Sequence, residues 1–169
     1  MGQGQLFALT TEQMHSLLAC RDDGQVLDLV TNIEETLQPP YREFLFKEWP
    51  LVQSCLSDGT CNPKGGSYPL NRCILGGQHL LPPNDGYMAV LIKPSEVVDI
   101  DEALATRDRS WFRKQFRIFF PSDEKISEIA LDQLCDLFDA IKAFYHRSAK
   151  NGWAILFTTD ETLDVIYKA

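Results

Sequence analysis

Long apolar runs are missing from this 169-residue chain: the longest, residues 87–92, has six residues, far short of the ~20 that a membrane-crossing helix needs. The opening MGQGQLFALT carries no basic residue ahead of an apolar stretch, which is not the pattern of a secretory signal. Leu6 stands where myristoylation of Gly2 would want Ser or Thr. These absences lead to the expectation of a cytoplasmic protein that does not engage membranes. Basic charge is scarce as well. Sixteen Lys and Arg against 24 Asp and Glu leave a net charge of −8, which disfavours binding to nucleic acid through its phosphates. An acidic chain is more readily steered to a basic protein partner. Residues 1–85 hold 5 basic and 10 acidic groups and residues 86–169 hold 11 and 14, so charge marks no domain boundary.

Patterns that carry chemistry are equally few. The five cysteines are an odd number, and Cys55, Cys61 and Cys73 are spaced C-x5-C-x11-C, without the tight pair that structural zinc wants. Reduced thiols are the expectation. No H-E-x-x-H pattern occurs, and no Ser stands in a G-x-S-x-G elbow. Gly2-Gln3-Gly4 lacks a third glycine, and residues 63–67 miss the spacing of a phosphate loop. His15, His79 and His146 are scattered. His146 suits the last turn of a helix, whereas His79 lies in irregular chain six residues beyond Cys73. A Cys–His nucleophile pair there has no motif behind it. No metal, cofactor or catalytic residue is assigned.

What is present is the composition of an ordinary folded domain, 44% hydrophobic and 24% charged, and its length can bury one sizeable core. Leu6, Phe7 and Leu9 suggest a short first strand. Thr10 and Gln13 have the spacing of a capping box and open a helix carrying Met14, Leu17 and Leu18. A second helix follows, with Val26, Leu27, Val30, Ile33 and Leu37 on one face, and Pro39-Pro40 ends it. Trp49-Pro50 begins a third, with Leu51, Val52, Cys55 and Leu56 as its buried side. Residues 57–68 form a long loop, and Gly76-Gly77 with residues 82–86 mark further irregular chain. Residues 87–92 read as a buried strand. A helix from Pro94 bears Val97, Val98, Ile100 and Leu104, and the next bears Phe112, Phe116 and Phe119. The longest helix spans about residues 123–150, with Ile126 and Ile129 on its apolar side, and Asn151-Gly152 stops it. Residues 153–159 form a strand, and residues 163–167 suggest another. The fold class that follows is α+β: a small sheet covered by several helices, with one long C-terminal helix followed by a strand.

Two neighbouring segments carry opposite charge. Arg109, Arg113 and Arg117 step by four along one helix face, and Glu128, Asp132 and Asp136 do the same on the long helix, with Asp139 beyond. The two faces can be solvated or can pair with each other across a helix contact. Alternatively, the acidic face Glu128, Asp132, Asp136 and Asp139 can dock a basic protein. The leading functional expectation is therefore a non-catalytic protein-binding module, with an immunity-type protein that neutralises a basic toxin as one concrete form. The alternative is a small-ligand or enzymatic site in the loops of residues 57–86, built on Asn71, Arg72, Gln78 and His79.

Several stretches together resemble the YfbM-like family of small bacterial proteins, classed as a domain of unknown function. These are the opening Met-Gly leading to Leu6-Phe7-Ala8-Leu9-Thr10, Trp49 with Leu51-Val52, and Leu56-Ser57-Asp58-Gly59-Thr60. They continue through Pro69-Leu70 with Ile74-Leu75-Gly76, then Pro94-Ser95-Glu96-Val97, Phe112 to Phe116, and the helix and strand that end in Phe157. The resemblance covers nearly the whole chain and implies a bacterial, cytosolic α+β protein forming a single domain over residues 1–169. It brings no activity, cofactor or catalytic residue. One departure stands out: relatives commonly carry a histidine in the tryptophan helix where this chain has Gln53.

Overall fold

The structure, a computed structural model, describes residues 2–82, 86–121 and 127–160. Its strands are β1 (Gly4–Leu9), β2 (Arg42–Phe46), β3 (Gln78–His79), β4 (Met88–Ile92) and β5 (Ala154–Thr159). Its helices are α1 (Thr11–Leu18), α2 (Asp23–Thr36), α3 (Trp49–Leu56), α4 (Pro94–Ala105), α5 (Arg109–Phe119) and α6 (Glu128–Asn151), with a single 3-10 turn at Leu70–Arg72. The α+β class expected from the sequence is the one observed.

The strands form one sheet in the order β2-β1-β5-β4-β3, with every neighbouring pair antiparallel. Side chains alternate across such a sheet, and here both faces are covered. Phe7, Leu9, Leu91 and Leu156 meet Met14 and Leu17 of α1 and Val26, Val30 and Ile33 of α2. On the opposite face Leu6, Val90, Ile155 and Phe157 meet Val52 of α3, Val97 and Ile100 of α4, Phe112 of α5 and Phe138 of α6. That double coverage is why β4 and β5 have every residue buried instead of an apolar–polar alternation.

Local chemistry sets the helix ends. The Thr10 hydroxyl accepts from the Gln13 amide at 3.2 Å, and the Gln13 side chain accepts from the Thr10 amide at 2.9 Å, completing the capping box. Asp22, Asp108 and Ser127 cap α2, α5 and α6, each side chain accepting the backbone N–H three residues on. Gly152 closes α6 with a left-handed φ of 67°, where a side chain would be strained.

The sequence reading and the structure differ at the margins. β2 lies in a stretch for which no element was expected, and β3 falls in chain read as irregular. Val98 and Ile129, assigned to apolar faces, are exposed. The start of the long helix at residues 123–126 and the suggested strand at 163–167 lie outside the described residues. Among the described residues no helix is long and apolar enough to cross a membrane.

Candidate functional site

The arginine and acidic stripes face each other. α5 lies along α6, and Arg109 Nη1 sits 2.7 Å from Asp136 and 2.8 Å from Asp139. Arg113 reaches Glu128 at 3.1 Å and also contacts Asp132, while Arg117 reaches Glu128 at 3.1 Å. Hydrogen bonds to Asp139 and Asp136 push the Arg109 guanidinium further above its ordinary range. Matching four-residue steps on two adjacent helices bring these groups into register. Pairing between the faces, one of the sequence alternatives, is thus observed. The acidic side chains are still not enclosed: Glu128 and Asp136 remain 74% and 71% exposed.

Asp136 also borders a trough of about 680 Å³ between β2 and α6. Its apolar lining comes from Phe44 and Phe46 on the β2 side, Leu51 of α3, and Leu134 and Leu137 of α6. Gln3, Gln133, Glu43, Lys47, Glu48 and Asp136 supply its polar lining. Phe44 and Phe46 stack with centroids 6.3 Å apart and are 40% and 54% exposed. They are large apolar groups left in water at the sheet edge, which is the feature most informative about a surface. The reason they lie there is local. Phe44 precedes Leu45, whose side chain enters the core, so strand alternation sends the Phe44 ring to the other face; the β1–β2 register then shifts between Gly4 and Gln5, and Phe46 takes a left-handed φ of 56°. Burial pushes the Glu43 carboxyl above its ordinary 4.5, with Arg147 opposing the shift.

Three of the four residues of the alternative loop site, Asn71, Arg72 and His79, are held by separate partners. Asn71 Nδ2 donates to the Gly65 carbonyl at 3.1 Å. Arg72 pairs with Glu96 at 2.9 Å and lies over the Tyr68 ring. Gln78 is exposed on β3, and His79 Nε2 lies 2.8 Å from the Leu75 carbonyl oxygen. Cys73 is fully buried, with its thiol pushed up to about 12, opposite to what an activated nucleophile requires. Asn71 Oδ1 is buried without a hydrogen-bond partner among the described residues. Among those residues, too, no group of three His, Cys, Asp or Glu side chains could hold a metal ion.

Sequence reasoning named Gln53 only as a departure from the resemblance. The structure makes it a fully buried bridge from α3 to the 70–75 segment, donating to Asn71 and accepting from Leu75. A second polar link was not foreseen at all. Glu34 of α2 accepts from Thr158 Oγ1 at 2.8 Å and from the Tyr87 hydroxyl, fixing α2 over the sheet.

Among curated proteins no match is found. A solved structure described as a protein of unknown function, YfbM, from Escherichia coli superposes with a TM-score of 0.68 at 19% identity, covering 93% of this chain and 99% of that one. At that identity the likeness concerns the fold. Residues 1–158 match the family model described as "Domain of unknown function (DUF1877)", and the chain belongs to that family.

Proposed function

We propose that this chain is a non-catalytic protein-binding module of the bacterial cytoplasm, which docks a basic partner protein at the trough between β2 and α6. An immunity-type role, in which the partner is a basic toxin, is its most concrete form. The observation that carries this reading is the pairing of an apolar lining (Phe44, Phe46, Leu51, Leu134, Leu137) with a charged border in which Glu43, Glu48 and Asp136 outnumber Lys47. Interfaces commonly combine an apolar centre with a polar rim, and a charged rim acts mainly on association rate.

The test is capture from the native host with the wild-type chain and with Glu43→Lys/Glu48→Lys. These two positions suit the purpose better than Asp132 and Asp136, whose reversal would also break the pairing of α5 with α6. A basic protein should co-elute with the wild type and be lost with the variant. Identical eluates from both chains, or a bound metabolite in place of a protein, would refute the reading.

One observation favours a second reading, a small ligand in the 57–86 loops: among the described residues Asn71 Oδ1 lacks a donor, and a buried acceptor gains from finding one. Metabolite mixtures that raise the melting temperature of the wild type but not of Asn71→Leu would establish it.

A further inference from the structure

Asn151-Gly152 is the single Asn-Gly dipeptide of the sequence. Asparagine is a chemically labile residue, and glycine is the neighbour that leaves it least protected. With no side chain at Gly152, nothing hinders the approach of its backbone nitrogen to the asparagine side-chain carbonyl. A Cβ built at Gly152 would meet nothing within 4 Å, and both residues are exposed, so water and base reach the pair from solvent.

The fold holds this pair in an unreactive arrangement. Asn151 is the last residue of α6, and its helical backbone turns the Gly152 nitrogen away from its own Cγ. Asn151 Nδ2 donates to the Arg147 carbonyl at 2.7 Å, which fixes the side chain back along the helix. The Gly152 N–H donates to the Ala149 carbonyl at 3.2 Å, so the proton that must leave before attack is engaged. Opening the last turn alone removes all three guards, and helix ends are where such openings cost least.

The same turn grips the chain that leads into β2. Arg147 Nη2 donates to the Pro40 carbonyl at 3.0 Å. The Trp153 ring meets Tyr41 edge-on with centroids 5.3 Å apart, while the Trp153 N–H donates to the Ser148 carbonyl at 3.0 Å.

We propose that Asn151 is a deamidation site gated by opening of the last turn of α6, and that its conversion loosens the hold of this turn on Pro40 and Tyr41. In the open turn the Gly152 nitrogen gives its proton to solvent base and attacks Asn151 Cγ. The new N–Cγ bond closes a succinimide, and the side-chain nitrogen takes up a proton and leaves as ammonia. Water then adds to one of the two imide carbonyls and opens the ring to aspartate or isoaspartate. Neither product fits the turn. A carboxylate has no proton to give the Arg147 carbonyl, and its charge lies at the negative end of the helix dipole. Isoaspartate also routes the main chain through Cβ, and the extra carbon breaks the helical repeat.

The full-length chain is aged in mildly alkaline buffer, native and in concentrated urea, and digested with trypsin. The peptide that follows Lys150 holds no other asparagine, so its amide-to-acid mass gain reports Asn151 alone. Conversion is expected in both samples, slower in the native chain by at least about tenfold. Low urea should leave the native rate unchanged, since opening one turn exposes little surface. Equal rates in the native and denatured chains, or no conversion in the native chain, would overturn the gating. A native rate that climbs with the unfolded fraction would overturn it too, by assigning the gate to global unfolding. Asn151→Asp made directly should raise hydrogen exchange at the Tyr41, Gly152 and Trp153 amides by at least about tenfold. Asn151→Gln, which keeps a side-chain amide, should raise it less. Wild-type exchange at these amides in Asn151→Asp, or an equal rise in both variants, would refute the loosening.

Discussion

Gln53 Oε1 accepts the backbone N–H of Leu75 at 3.1 Å from a side chain with no solvent exposure. Its Nε2 donates to the Asn71 carbonyl at 3.2 Å, so one amide bolts α3 to the segment that precedes β3. Leucine at this position would leave a buried donor and a buried acceptor unpaired. Gln53→Leu should therefore cost about 3 kcal/mol, since an unmet buried polar group forfeits its full desolvation penalty. Gln53→His keeps a ring nitrogen within the same region and should cost less. Urea midpoints at unchanged slope measure both. Equal losses for the two variants would mean that shape, not hydrogen bonding, sets the requirement.

The contact between α5 and α6 should respond to salt. Arg109 meets Asp136 and Asp139 at the surface, where attraction is screened over roughly 3 Å at 1 M ionic strength. Arg109→Ala should destabilise the chain at low salt and progressively less as sodium chloride is added. A deficit that stays constant across the series would show that the arginine stem packs, and that its charge contributes nothing.

Much of this fold could be read from spacing because local and tertiary signals agree. Thr10 with Gln13, the step of four from Phe112 to Phe116, and Gly152 after the long helix each mark an element whose buried face is regular. β2 was illegible for a physical reason. Leu45 is its only fully buried residue, so a five-residue edge strand displays no buried period. The trough depends on that strand, and it was missed along with it. The charged stripes were visible as faces, but a four-residue step is the same whether a face meets another helix or another protein. The sequence could therefore name Glu128, Asp132, Asp136 and Asp139 without telling which surface they oppose. Ile129 shows the complementary limit: periodicity assigns a face, yet helix packing decides how far around the helix burial extends.

The thiols should separate by burial. Burial pushes both Cys55 and Cys73 up to about 12, and only the thiolate reacts. In the folded chain at neutral pH these two should resist a thiol reagent while the half-buried Cys20 is modified. Denaturant should release both at the rate of global unfolding. Peptide mapping after a timed pulse identifies the labelled positions, and rapid native labelling of Cys73 would mean that the 70–75 segment opens locally.

The acidic border of the trough should be visible in the pH dependence of stability. Burial raises the Glu43 carboxyl above 4.5 in the folded chain, with the charge of Arg147 only partly offsetting it. A folded state that binds the proton more tightly than the unfolded state is favoured while that proton is present. The contribution of Glu43 is thus fully retained below 4.5 and is lost as pH rises through the folded value, leaving the ionised side chain a net cost at neutral pH. Glu43→Gln should match the wild type in acid and exceed it in stability at neutral pH, with the difference growing between those limits. Urea unfolding of both chains across that interval measures it. A difference that does not change with pH would mean that the Glu43 carboxylate keeps its hydration, and the trough would then gain nothing at this position from a partner's cation. Where the difference does grow, a lysine or arginine docked beside Glu43 removes the cost. Binding should then weaken as acid protonates this carboxylate, and Glu43→Gln should abolish that pH dependence while leaving the apolar contacts of Phe44 and Phe46 in place.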